Sequence, residues 1–266
     1  MALLTDGNPN DTEALRVYET AIRDLAQAEA IDLNAKLCLA TEEISQDVVN
    51  ILLGHTSFNY TTLNPTLTFG VPPNMRRTIG VSDVVVTAQI KRWHALHALG
   101  IIYRDAYNNQ LNDRYGVKWD EYRKLAVDAR ARAIQYGIGL ASSPIPRAGQ
   151  PVFSVVAGLT PSTVYFACVS WVSAAGQEGS PSEVTTYQTV DGSLLVVTAT
   201  NPPTVAAGWN VYLGLTDSTM TLQNSAPLAI GQSFPLPATG LATGRPPGQG
   251  QVPDVYVTGG LTLNRG

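Results

Sequence analysis

A two-part α+β chain is the prediction, with an N-terminal α-helical bundle followed by a β-sandwich and an extended C-terminal tail. Three observations predict it. Charge thins out abruptly along the chain: residues 1–146 hold 14 Lys/Arg and 16 Asp/Glu, whereas residues 147–266 hold 3 and 5. Helices meet water through charged faces, while sandwich strands use Thr, Ser and Gln, so this drop marks a change from α to β. Apolar residues recur at steps of three and four before the break, and in alternating or β-branched runs after it. Ser142-Ser143-Pro144-Ile145-Pro146 stands at the switch, where the prolines forbid a continuing helix. A length of 266 residues suits two cores of ordinary size. The predicted domains are therefore a helical module at 1–146, a sandwich at 147–245 and a tail at 246–266.

Each helix has its own stripe. Leu15, Tyr18, Ile22 and Leu25 predict one amphipathic helix beginning near Asn10 or Asp11. Leu33, Leu37, Ala40, Ile44, Val48 and Ile51 predict a second, stopped by Gly54. Residues 55–80 break into Thr, Asn, Pro and Gly, with Pro72-Pro73 and Arg76-Arg77, and read as a long loop of a length that is usually functional or disordered. Ser82 reads as the N-cap of a third helix carrying Val86, Ile90, Trp93, Leu96, Tyr103 and Tyr107 to about Leu111. After a turn at Asp113-Arg114-Tyr115-Gly116, the residues Trp119, Tyr122, Leu125, Ala129 and Ala133 define a fourth, closed by Gly137. Four such helices bury a bundle-like core.

Composition excludes several classes of function. Only 14% of the residues are charged, low for a soluble surface, and contacts with neighbouring subunits account for the deficit. A formal charge of −4 without a Lys/Arg run gives no nucleic-acid footprint. The first ten residues lack the pattern of a signal peptide, and no apolar run reaches membrane-spanning length. Cys38 and Cys168 lie in segments of different type, and both are expected as reduced, buried thiols of a protein made in the cytoplasm. Residues 1–50 carry 10 acids against 3 bases, and residues 91–132 carry 9 bases against 5 acids. Opposed patches suit a head-to-tail contact between subunits, and equally suit a contact inside one bundle.

A search for chemistry returns little. His94 and His97 are three apart on a helix, yet a metal needs further ligands, and His55 has no Cys partner and no H-E-x-x-H setting. Glu42-Glu43 and Asp120-Glu121 are sequence neighbours whose side chains diverge on a helix, so solvated faces explain them. Nucleophile elbows, P-loops and dinucleotide fingerprints are absent from the sequence. The expectation is a non-enzymatic protein without cofactor or metal. Arg76 and Arg77 bring too little charge for phosphate binding alone, so a protein contact or a plain solvated loop is the better reading of them. Val255, Tyr256 and Val257 form a last β-prone piece in a Gly/Pro-rich tail that adds a strand to its own sheet, stays loose, or augments a neighbour's sheet. These five residues are the candidate interface. Deleting Gly248–Gly266 is expected to leave the fold intact and to block assembly.

Beyond Gly149, Val152–Val156, Val164–Val172, Ser193–Val197 and Gly208–Leu213 read as strands. Leu159-Thr160-Pro161 through Val169, followed by Gly176 and Ser180-Pro181-Ser182, resembles the fibronectin type III pattern from the E–F corner into strands F and G. Ser193–Val197 and Gly208–Leu213 resemble that family's strands B and C. The resemblance implies that Tyr165 is a corner tyrosine bonded to backbone upstream and Trp209 the buried aromatic. Here B and C follow F and G, so it implies a permuted sandwich.

The helical module, with its Asp113-Arg114-Tyr115-Gly116-x-Lys118-Trp119-x-x-Tyr122 segment, resembles the head–tail adaptor proteins of tailed bacteriophages. Phage virion proteins also carry fibronectin-like sandwiches with segments similar to Ala174–Pro181 and Gly208–Tyr212. The resemblance implies a structural virion protein, assembled in the host cytoplasm, in a ring of about 12 copies between portal and tail or neck proteins. Genomic DNA would pass through the lumen without sequence recognition, and no membrane is involved. A second reading makes the sandwich a receptor- or glycan-binding module, and it requires Trp171, Trp209 and Tyr212 to be exposed stacking platforms.

Overall fold

The computed structural model describes residues 1–61, 79–110 and 113–258, with the side chains of 53–61 excepted. Helices occupy the N-terminal half and antiparallel sheets the C-terminal half, an α+β architecture. Two compact units result: Gly7–Ser142 with Pro253–Gly266, and Met1–Asp6 with Ser143–Val252. The sequence placed a single break after Pro146. The chain instead divides after Ser142, and each terminus belongs to the unit farther away along the sequence.

The helical unit contains α1 (Thr12–Arg16), α2 (Ile22–Ala28), α3 (Leu33–Thr61), α4 (Ala88–Gln110) and α5 (Asp113–Tyr136). The first predicted helix is thus two short ones. Asp11 caps α1 by accepting the Ala14 N–H at 2.8 Å, and Leu15 and Ile22 are buried while Tyr18, in the break, is exposed. In α3 the buried stripe is Leu37, Ala40, Ile44, Val48 and Leu52, and the backbone stays helical through Gly54. The third helix starts later than Ser82. Val81–Asp83 is a single 3-10 turn, Val84 and Val85 are extended, and Thr87 sits at the start of α4, its Oγ1 accepting the Ile90 N–H at 3.4 Å. Buried residues surround α4 on nearly every side, the mark of a central helix. Asp113–Gly116 is the first turn of α5 and not a loop. Tyr122, Ala126, Ala129 and Ala133 form its buried stripe, and Gly137, at φ +99°, ends it.

The sandwich unit consists of two sheets. One has the order β2-β5-β9, from Val152–Ala157, Ser193–Thr198 and Phe234–Pro235. The other has the order β4-β3-β6-β7, from Thr185–Gln188, Val164–Ser173, Ala206–Gly214 and Thr221–Leu222, with β8 (Leu228–Ala229) also on β6. All these pairings are antiparallel. Alternate residues of the long strands meet between the sheets, namely Tyr165, Ala167, Val169 and Trp171 of β3, Leu195 and Val197 of β5, and Trp209, Val211 and Leu213 of β6.

Candidate assembly surfaces

The C-terminal strand β10 (Val255–Val257) belongs to the helical unit. It pairs antiparallel with β1 (Ile138–Leu140), which emerges from Gly137 at the end of α5, in the register Ile138↔Val257, Gly139↔Tyr256, Leu140↔Val255. On the chain's other side, Val84 bridges Leu140 and the Val85 N–H donates to the Gly139 carbonyl at 2.9 Å. Asp254 anchors the entry, accepting the Ser142 N–H at 2.8 Å while its own N–H donates to the Leu140 carbonyl at 2.9 Å. A Cβ on Gly139 would lie 2.6 Å from Pro253 Cγ, so only glycine allows this approach. Of the three predicted interface residues here, Val257 is a buried core residue, while Val255 and Tyr256 are half exposed. Arg76 and Arg77, the other two, lie outside the described residues, as does nearly all of the predicted 55–80 loop.

The opposed charge patches meet within the helical unit. Arg130 Nε donates to Asp47 at 2.9 Å and Lys118 pairs with Glu19 at 3.6 Å, while Lys36 and Asp105 pair in the opposite sense. The patches therefore need no neighbouring subunit, and that argument for a head-to-tail contact falls away. His94 and His97 point to different partners. His94 is fully buried, its ring nitrogens 3.0 Å from Asn10 Nδ2 and 2.9 Å from Thr41 Oγ1, and burial pushes its pKa down to about 4. His97 Nε2 lies 2.5 Å from Glu43. Among the described residues no group of three or more His, Cys, Asp or Glu is placed to hold a metal.

In the sandwich, Trp171, Trp209 and Tyr212 are all buried, so they offer no stacking platform and the glycan-module reading loses its binding residues. The Trp209 indole N–H donates to the Ala229 carbonyl at 3.2 Å, which satisfies its one polar atom in the core. Tyr165 is also buried, but among the described residues its hydroxyl makes no hydrogen bond to upstream backbone, so the corner role is not met. Cys168 is buried, with its thiol pushed up to about 12 by desolvation, whereas Cys38 is exposed, contrary to expectation. Sequence reading passed over Glu178. Its carboxylate accepts from Ser170, from Asn210 at 3.1 Å, from Tyr212 at 2.5 Å and from Arg245 at 2.5 Å. Burial would raise its pKa, but these four donors outweigh burial and hold it below the ordinary value. Arg245 also lies 5.6 Å over the Tyr212 ring, so the segment after Gly240 is fastened to the outer face of β6.

The largest departure from a closed sandwich is β2. Among the described residues it pairs only with β5, at the end of its sheet, and five of its six side chains are exposed, with Val152, Val155 and Val156 each at least 40% open to solvent. The signal was present in the sequence: Val152-Phe153-x-Val155-Val156 is apolar in both phases, which neither a half-solvated strand nor its exposed faces require. No helix of the described residues is long and apolar enough to cross a membrane. Comparison with known proteins returns no matching family model, no matching curated protein and no matching solved structure.

Proposed function

We propose that this chain is a non-enzymatic structural protein, a subunit of the head–tail adaptor ring of a tailed bacteriophage, with a permuted fibronectin type III-like sandwich as its second unit. One observation carries the reading. The strands that resemble F, G and C are neighbours in one sheet, in the order β4-β3-β6, and the strand that resembles B lies in the other. This is the pairing of the C–F–G and B-containing sheets of such sandwiches, reached with F and G preceding B and C in the chain. This pairing supports the reading, in a chain whose other half is the helical module that resembles the adaptors.

The mechanism is assembly. Helices of neighbouring copies form the ring around the DNA path, and surfaces such as Val255 and Tyr256 face portal and tail proteins. The test is mass measurement and negative-stain imaging of the purified chain, alone and mixed with the portal protein of the same virus. Rings of about 12 copies, alone or on the portal, are expected. A chain that forms no ring and does not bind the portal overturns the reading.

A further inference from the structure

The exposed strand β2 has one ladder satisfied and one open. Its pairing with β5 keeps a constant register from Val152↔Thr198 to Ala157↔Ser193, and in that register the Gly158 N–H donates to the Gly192 carbonyl at 2.8 Å. Antiparallel pairs alternate between bonded and non-bonded, so Val152, Ser154 and Val156 direct their backbone groups to β5. Phe153, Val155 and Ala157 therefore direct theirs to the free edge. The usual protections of such an edge are thin. Residues 148–177 contain no charged side chain, the β2–β5 register has no bulge, and Pro151 removes a donor only at the strand's entrance.

We infer that the free edge of β2 pairs antiparallel with β2 of a second copy of this chain, joining two three-stranded sheets into one of six strands. Two features select a second copy as the occupant. Uncharged edges meet without repulsion, and the strand is complementary to itself. Directly opposed residues in an antiparallel pair share a face, so a two-fold axis allows only registers that match residues of equal parity. Centred on Ser154, such a register sets Val152 against Val156, Phe153 against Val155 and Ser154 against its own mate. The open backbone groups of Phe153 and Val155 then form the bonded pairs, and all four flanking side-chain pairs are apolar. This contact goes beyond the adaptor reading and does not depend on it: a ring contact joins two different faces, whereas this one is isologous and closes at two copies.

Sedimentation of the full chain across a wide concentration range tests it. A reversible dimer is expected, and Val155→Pro, which removes an N–H that bonds nothing among the described residues, raises the dimer dissociation constant at least about tenfold without altering the circular dichroism of the chain. The central Ser154 pair is non-bonded, at about 4.5 Å between Cα atoms, within disulfide reach. Ser154→Cys, on an exposed position, therefore yields a covalent dimer on mild oxidation, and Val190→Cys, also exposed, does not. A monomer at every concentration overturns the inference. So does a dimer that neither weakens in Val155→Pro nor traps through Ser154→Cys, and so does a dimer lost when the chain is ended at Thr258, which would assign the edge to residues 259–266 of a neighbour.

Discussion

His94 is fully buried and has both ring nitrogens occupied inside the helical unit, one near Asn10 and the other beside Thr41 and the Leu37 carbonyl. Its pKa falls from 6.5 to about 4 on folding, so between these values the unfolded chain binds the proton that the folded chain refuses. The stability it contributes is whole above pH 6.5 and is lost as pH falls toward 4, by about 3 kcal/mol at most. Urea denaturation at a series of pH values should show this loss, and His94→Gln should flatten it. Glu178 makes the matching case in the sandwich. Glu178→Ala leaves Asn210, Tyr212 and Arg245 without their acceptor and should cost about 2–4 kcal/mol in denaturant unfolding. Neither role was legible. His94 read as a weak metal candidate because its partners, Asn10 and Thr41, lie 84 and 53 residues away, and Glu178 was passed over because three of its donors, Asn210, Tyr212 and Arg245, lie 32 to 67 residues away.

Strands were more legible than helix ends. The Val152, Val164, Ser193 and Ala206 strands fall within two residues of their predicted starts, since alternation and β-branching are local properties. The helix errors have different causes. Tyr18 kept a helical step, but the helix breaks between Arg16 and Ile22, and spacing alone does not see a break that preserves phase. Ser82 had the chemistry of a cap, yet Val84 and Val85 were drawn into extended backbone beside β1, which left Thr87 to begin α4. Tertiary pairing overrode propensity at Ser82. The same pairing gives β10 its weight. Ending the chain after Val252 removes the buried Val257 and the Asp254 anchor, and should destabilise the helical unit by about 2 kcal/mol or more. Gly139→Ala should act in the same direction, by about 1–3 kcal/mol, because its Cβ displaces Pro253. Thermal unfolding followed by circular dichroism measures both.

At the scale of the whole molecule, the change from α to β at the prolines was readable from charge alone, because composition responds to how each half meets water. The exchange of termini was not. It rests on contacts such as the Met1 ammonium donating to the Gln251 carbonyl at 2.8 Å and the Arg147 N–H donating to Asp6 at 2.8 Å, separated by 250 and 141 residues, for which no local pattern exists. This exchange argues against the expectation that deleting Gly248–Gly266 leaves the fold intact. Gln251 is buried, accepts the Ile145 N–H at 2.6 Å and donates to the Ser143 carbonyl at 3.0 Å, so the deletion strips structure from the sandwich as well as from the helices. A crossed dependence follows. Leu3 and Leu4 are buried and belong to the sandwich unit, so removing Met1–Asp6 should destabilise the sandwich by about 3 kcal/mol or more, although these residues precede the helices in the chain. Ending the chain after Val252 should instead loosen the helical unit. Amide hydrogen exchange resolved along the sequence separates the two: the first truncation should speed exchange in β3, β5 and β6, the second in α4, α5 and β1. Faster exchange confined to the helices after loss of Met1–Asp6 would mean that the chain is organised in simple linear order after all.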